Sequence, residues 1–554
     1  MLPYGAMRIR GLEPLLVVAA AVVITIVMTW PLAPKAGYAG RTDTNDGQFS
    51  IWNVSWVARA LVSDPRGLYD ANIFYPHRGT LAYSEANIGA GALAVPFYWA
   101  SGGNPYLAHN AVLLLAFVLA ATGTYALVRH LTGNRYAAAV SGVAFAFCPH
   151  VFSHIPHIPL MLTAGLPWSL LAMHRFVDRQ SAATGAALAG VLAAQALSCG
   201  YYGIFAGLVV SSGVIVYGLT RGLWRRWTYW AAASAAAAAS MLIVLPFFQP
   251  YLALQQDTGF ARTLQDAERW SAQWRSYLAS SAWAHRWMLP HLGSWGEVLY
   301  PGTAATVLGA MGVCAGSTIG EARRSRGHVA FYGGMAALAC WTSFGPAAGL
   351  YALLFQVVPG FSWLRAPSRF GLLVVLALAV LAGFAVTWLL GRVRRAPLVG
   401  SLLVLAALCD LCVAPLFLVE AKPVAPAYQS LGKWPAGPVV EFPFFYLRTD
   451  FPRHAEYMLN STAHWRPLIN GYSDYIPPDF RAMVIPVSSF PNPESFAILK
   501  SLRTRYVIFH LDLYDRRAVV DLKERIDSYR DYLRPIRIED PVWLFQIVAW
   551  PPQR

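Results

Sequence analysis

From Pro14 to Leu32 the chain carries no charge, and the run is long enough to cross a hydrocarbon core. Similar apolar stretches recur at roughly 107–128, 136–148, 159–174, 183–198, 203–219, 228–248, 303–320, 328–344, 370–391 and 397–418, about eleven in all. Arg8 and Arg10 precede the first run and Trp30-Pro31 closes it at an interfacial position. It reads as an uncleaved span rather than a signal peptide. The stretches between the runs test this pattern independently. Arg129 and Arg135, Arg175 and Arg179, Arg221, Arg225 and Arg226, Arg323, Arg324 and Arg326, then Arg392, Arg394 and Arg395 occupy alternate, short connections. Basic residues are retained on the cytoplasmic side, so the N-terminus is expected in the cytoplasm and the C-terminal region outside.

Two long polar segments then fall on the outer side, 33–106 and 249–302. Within the first, Phe49 to Val62 places Trp52, Trp56 and Arg59 at helical spacing, which predicts an amphipathic helix lying in the membrane interface. Residues 345–369 are apolar but broken by Gly and Pro, as in a re-entrant segment. After Glu420 the pattern changes. Pro423, Pro426, Pro435 and Pro438 mark a boundary, and the β-branched and aromatic runs at Val439-Val440-Glu441-Phe442, 505–509 and 543–548 predict strands. Asp521 to Tyr532 predicts an amphipathic helix. The expected fold is therefore mainly α: a polytopic transmembrane domain over 1–420 and an extracytoplasmic soluble α/β domain over 421–554.

Composition agrees, with 56% hydrophobic and 13% charged residues. The formal charge of +15 is largely the cytoplasmic arginine set facing membrane lipids, so nucleic acid is not an expected partner. All six cysteines fall in or beside apolar spans, where a thiol acts as a small hydrophobe and no disulfide framework is expected.

Polar residues that packing does not require are scarce, and each has a bland reading beside its chemical one. Thr42-Asp43-Thr44-Asn45-Asp46 sets two carboxylates just outside the first span. Asp43 and Asp46 suit general base work, while Asp46 also suits an N-cap for the helix that follows. Glu85 is a further acid in the same loop. His150, His154 and His157 crowd one short outer turn. With no acid nearby in sequence, hydrogen bonding by His154 and His157 is preferred to metal ligation. Tyr201 and Tyr202 stand at another outer turn, where an aromatic belt is the ordinary explanation. Arg365 and Arg369 open a span from outside, where arginine is unusual. They suit a phosphate, or a salt bridge to Glu85 or Asp266. Asp410 lies within the last span, and an ionisable group at that depth is a functional candidate.

Thr42-Asp43-Thr44-Asn45-Asp46 with Trp52 and Trp56, Phe74-Tyr75-Pro76, the stretch from His154 to Trp168, and Arg365-Ala366-Pro367-Ser368-Arg369-Phe370 resemble bacterial multi-span proteins grouped with the GT-C superfamily. These are integral membrane glycosyltransferases, and the resemblance covers about residues 10–420. It implies a bacterial cytoplasmic (inner) membrane enzyme of the cell envelope that takes a sugar from a polyprenyl-phosphate donor. The acceptor would be a glycan, lipid or protein. It further implies inversion with a first-loop Asp as base, and sugar or phosphate contacts from His154, His157, Arg365, Arg369, Glu85, Tyr201 and Tyr202. Better-known members often carry Asp-Glu or Asp-x-Asp in this loop, whereas here the spacing is Asp-x-x-Asp, which leaves Asp43 and Asp46 both open as the base. No cofactor is fixed by these residues, although a divalent metal is compatible with them. The alternatives are a transporter or flippase, which calls for polar groups near the midplane, and a non-catalytic assembly protein.

Overall fold

The computed structural model describes residues 4–259, 262–315, 322–358 and 360–552. Residues 316–321, at the end of the expected span 303–320, lie outside the described residues, as do the side chains of Arg8, Arg10, Arg323 and Arg324. The chain divides into two units. One combines Met1–Pro34 with Val112–Leu416, and the other combines Lys35–Ala111 with Phe417–Arg554.

Among the described residues six helices are long and apolar enough to cross a membrane: Gly11–Met28, Pro105–Thr132, Arg135–Ser153, Gly200–Thr220, Trp227–Thr258 and Pro367–Leu390. Shorter apolar helices are Ile88–Ala100, Ala182–Ser198, Thr303–Cys314 and Ala396–Asp410. The protein is thus a multi-pass membrane protein. The expected span 159–174 is instead a short turn, Ile158–Met161, followed by Gly165–Asp178. Prolines at 156, 159 and 167 interrupt the backbone ladder there.

Gly371–Leu390 is the core of the first unit, with nearly every side chain buried. Helices Thr303–Ala315, Ala322–Ser343 and Arg135–Ala146 pack around it. Close approach is bought with small residues, as is usual between membrane helices. A Cβ on Gly309 would stand 3.1 Å from the Leu378 carbonyl, and one on Gly312 would meet the backbone of Leu381. Trp227–Thr258 is the opposite case. Met241, Leu242 and Ile243 are all exposed, so this helix presents apolar side chains outward, as lipid requires.

The second unit carries the strands. β1 (Ala39–Gly40) pairs antiparallel with β2 (Val419–Glu420), closed by an ion pair from Lys35 to Glu420 at 2.7 Å. β3 (Val439–Phe442), β4 (Tyr506–His510), β5 (Leu533–Glu539) and β6 (Val542–Ile547) form a sheet in the order β3-β4-β6-β5. β3 and β4 are parallel and the other pairs antiparallel. The helix expected at 521–532 runs from Arg516 to Ser528, capped by Asp515. Residues 72–75 of the first polar segment extend this framework. Phe74 N–H donates to Asn470 O and Leu468 N–H to Asn72 O, while Ile469 N–H donates to Val439 O. The stretch read from sequence as a loop of the membrane part folds with the C-terminal residues.

That arrangement corrects one expectation. Helix Asn45–Ser63 does not expose its tryptophans to an interface, because Trp52 and Trp56 are both buried. Trp52 donates to Asn72 Oδ1 at 3.1 Å and Trp56 to Leu68 O at 2.8 Å. Helical spacing of aromatics is the same whether the face meets lipid or protein, so only the packing distinguishes the two.

Candidate functional site

In the first unit the connection between two spans folds into helix Pro149–Ser153, which sets His150 and His154 four residues apart with ring centroids at 4.3 Å. Glu297 arrives from the second outer segment. One nitrogen from each histidine and one carboxylate oxygen lie within 4.8 Å of one another. His150 Nδ1 lies 3.2 Å from Val298 O, and His154 Nδ1 lies 2.8 Å from His150 O. A carbonyl only accepts, so each ring carries a proton on Nδ1 and turns its Nε2 toward the other groups of the trio. His150 Nε2 is buried and has no partner among the described residues. His154 Nε2 stands 3.4 Å from Glu297 Oε1. Two lone pairs at that distance repel, so the contact is occupied by a proton or by a shared cation.

Glu297 shows the same demand. Burial pushes its carboxyl up, but the His154 hydrogen bond and charge, with the Val298 N–H, outweigh burial and bring it down to about 2. The donor set of two imidazoles and a carboxylate, with both Nδ1–H groups on backbone carbonyls, fits a divalent transition metal. No acid is near these histidines in sequence, which is why hydrogen bonding is the expectation there. The acid comes from a distant segment, so spacing along the chain carried no signal for Glu297. The His150/His154 spacing was the one available hint.

Tyr201, Tyr202 and Arg369 join the same neighbourhood. The charges of Arg369 and Glu297 both reach Tyr202, and that of Arg369 reaches His150. The half-buried Arg369 guanidinium lies 4.2 Å from the centroid of the Tyr201 ring. Tyr201 OH accepts from Arg365 N–H at 2.9 Å, and Tyr202 OH donates to Leu160 O at 3.3 Å. Tyr201 therefore orients the backbone between the two arginines. Arg365 turns elsewhere, its guanidinium 6.0 Å from the Trp270 ring centroid and its charge felt by Asp266. The His157 ring is 6.1 Å from that of His154.

The acid pair belongs to the second unit. Asp43 receives two hydrogen bonds from Arg41, Nε to Oδ1 at 2.8 Å and Nη2 to Oδ2 at 3.1 Å. The Arg41 bond holds its carboxyl below the ordinary range, against a smaller burial effect. Asp46 is not the cap of the following helix. Thr44 is, accepting from Gly47 N–H at 3.2 Å, and Asp46 sits in the first turn where the helix dipole favours an anion. The backbone of Glu85 accepts from Asn53 Nδ2 at 3.3 Å, which moors the end of the loop to this helix.

No family model and no curated protein matches the sequence. Solved structures do. The fold matches arabinofuranosyltransferase AftD from Mycobacteria with a TM-score of 0.57 at 17% identity, over 97% of this chain and 41% of that one. The archaeal oligosaccharyltransferase AglB from Archaeoglobus fulgidus, in complex with an inhibitory peptide and a dolichol-phosphate, gives 0.49 at 12% identity over 95% and 73% of the two chains. ArnT from Cupriavidus metallidurans gives 0.42 at 15%, over 97% and 99%. The match to the arabinofuranosyltransferase establishes a GT-C-like fold for this chain.

Proposed function

We propose that this protein is a membrane glycosyltransferase that moves a sugar from a polyprenyl-phosphate donor to a glycan, lipid or protein acceptor outside the cytoplasm. The observation that carries the reading is the gathering of Glu297, His154, His150, Arg369 and the two tyrosines at one end of a GT-C-like bundle. An inert scaffold has no use for an unpartnered imidazole nitrogen beside a buried carboxylate. A transporter reading expects such groups near the midplane of the spans.

The chemistry follows from the groups. The acceptor hydroxyl gives its proton to Asp43 or Asp46 as its oxygen attacks the anomeric carbon. The bond from that carbon to the phosphate oxygen breaks, and the configuration inverts. Negative charge grows on the departing lipid phosphate, and Arg369 answers it, because a guanidinium can make two parallel hydrogen bonds to phosphate oxygens. Arg365 supports the same region, while Tyr201, Tyr202 and His157 are available to sugar hydroxyls. His150, His154 and Glu297 would hold a divalent cation, which when bound supplies further positive charge toward phosphate oxygens. The arginine alternation puts the N-terminus in the cytoplasm and the C-terminal residues outside, as in a bacterial inner membrane.

The deciding experiment offers the protein, purified into lipid, a panel of radiolabelled polyprenyl-phosphate sugars. Release of polyprenyl phosphate from at least one donor, with the label passing to an acceptor, is the expected outcome. No release from any donor, in lipid that supports folded protein, would reject the transferase.

A further inference from the structure

Asp410 and His285 form the most enclosed acid–base pair of the first unit outside the site just described. Asp410 ends helix Ala396–Asp410, and His285 lies in the second outer segment. His285 Nε2 meets Asp410 Oδ1 at 2.9 Å, and Ser280 Oγ meets His285 Nδ1 at 2.9 Å. The series Ser280–His285–Asp410 has the connectivity of a nucleophile, a base and its orienting acid. Ser280 and His285 are both almost wholly buried, however, so no substrate reaches the hydroxyl.

Its bonds lead to the Glu297 site instead. The other carboxylate oxygen of Asp410 accepts from Ala304 N–H at 3.0 Å, at the start of helix Thr303–Ala315. Thr303 Oγ1 lies within hydrogen-bond distance of both His285 Nε2 and Tyr300 OH. One carboxylate therefore fixes two strips of chain, 280–285 and 300–304. The residues at or just ahead of the start of each strip are tied to each other next to Glu297, since Leu299 N–H donates to Ser276 O and Tyr300 N–H to Ala279 O. The first strip reaches the histidines, because Ser281 Oγ donates to Pro149 O, beside His150. The second reaches them through Val298 O, which receives His150 Nδ1–H. Gly302 leaves room for the clamp. At a φ of +94° it favours no side chain, and its Cβ would stand 2.9 Å from Asp410 Oδ2.

We propose that Asp410, through His285, is the positioning residue that holds Glu297 against His150 and His154, and so sets the divalent-cation affinity of that trio. The inference rests on the metal reading given under Proposed function. Asp410 acts at one remove, through the chain that carries Val298 O against His150, and hydrogen-bond partners directly behind metal ligands commonly govern affinity by 10- to 100-fold.

The test uses full-length protein in lipid and Co2+ alone, read by its ligand-field absorption, with thermal stability measured in parallel. Asp410→Asn keeps the shape and the acceptor for Ala304 N–H but removes the carboxylate charge that faces His285. It should weaken Co2+ by about tenfold or more and alter the spectrum. Asp410→Glu should recover part of the loss. In a Glu297→Gln background, Asp410→Asn should have no further effect on Co2+, because its action passes through Glu297. Equal affinity and an unchanged spectrum in Asp410→Asn, beside a wild type that binds, overturn the inference. So does a loss that is fully additive with Glu297→Gln, which would mark Asp410 as merely structural. If the wild type itself binds no Co2+, the metal reading fails first and this inference with it. If Asp410→Asn does not fold, Gly302→Ala perturbs the same clamp from the other side and must weaken Co2+, or the proposal falls.

Discussion

Arg369 is where a single side chain should separate binding from packing. Its guanidinium already lies against Tyr201, so Arg369→Lys keeps charge but loses the planar fork and the stacking. Donor affinity should fall measurably with Lys. With Ala it should fall by about 2 kcal/mol, roughly 30-fold, the usual value for a charge-assisted hydrogen bond. Titration of a polyprenyl-phosphate donor against both variants checks this; wild-type affinity in Arg369→Ala would make the arginine structural. The acids are tested by Asn, which preserves shape. Whichever of Asp43 and Asp46 is the base should lose about 10²–10⁴ of turnover on substitution. Because Arg41 already occupies Asp43 with two hydrogen bonds, the two single variants together decide between them. Glu297 offers a pH prediction. Its folded pKa is depressed to about 2 from an ordinary 4.5. Its contribution to stability is therefore complete above 4.5 and is lost as pH falls toward 2. Glu297→Gln should flatten the acid limb of thermal stability in that window and leave the slope above it unchanged.

At the scale of elements, helix Asn45–Ser63 and the turn before it decide where the acid pair points. Thr44 caps the helix, and Gly47 passes against the carbonyl of Arg41 where a side chain has no room. Thr44→Ala should cost about 1 kcal/mol. Trp52→Ala, which empties a fully buried site and strands Asn72, should cost about 3–5 kcal/mol. Chemical denaturation of protein in detergent, followed by Trp emission, measures both. The same pairing explains why the tryptophans, expected at an interface, are internal. Asn72 and Leu68 supply acceptors for their indole N–H groups inside the unit, and an indole whose N–H is satisfied loses its reason to stay at a wet surface.

For the molecule as a whole the topology is the first thing to establish. Reporter fusions after Pro426 should be active only on the outer side, since the arginine-bearing connections alternate up to Arg395. Activity confined to the cytoplasm would invert the orientation and remove the outer site. Metal content is the second. A cation bound by His150, His154 and Glu297 but not by the unfolded chain stabilises the native state by about 2.7 kcal/mol at a hundredfold excess over its dissociation constant. Dialysis against a chelator should then lower the melting temperature, and Co2+ or Zn2+ should restore it. Glu297→Gln, left with the two histidines, should respond much less to both treatments.

Much of this architecture is local and was therefore legible in the chain. Apolar runs place the spans, since the hydrocarbon core imposes a length and excludes charge. The β-branched and aromatic run Val439–Phe442 marks β3, whereas β1 and β2, two residues each, are too short to carry any pattern. Residue chemistry also marked His154, Arg369, Tyr201 and Tyr202, because polar groups in an apolar chain stand out individually. What each of them meets is decided by folding. Glu297 lies far along the chain from His150 and His154, Asp410 at the end of an apolar helix meets His285 and the Ala304 N–H, and residues 35–111 form one unit with 417–554. Hydrophobicity and periodicity are properties of neighbours in sequence. Convergence of a carboxylate on two imidazoles is a property of neighbours in space, and nothing in the spacing of these residues encodes it.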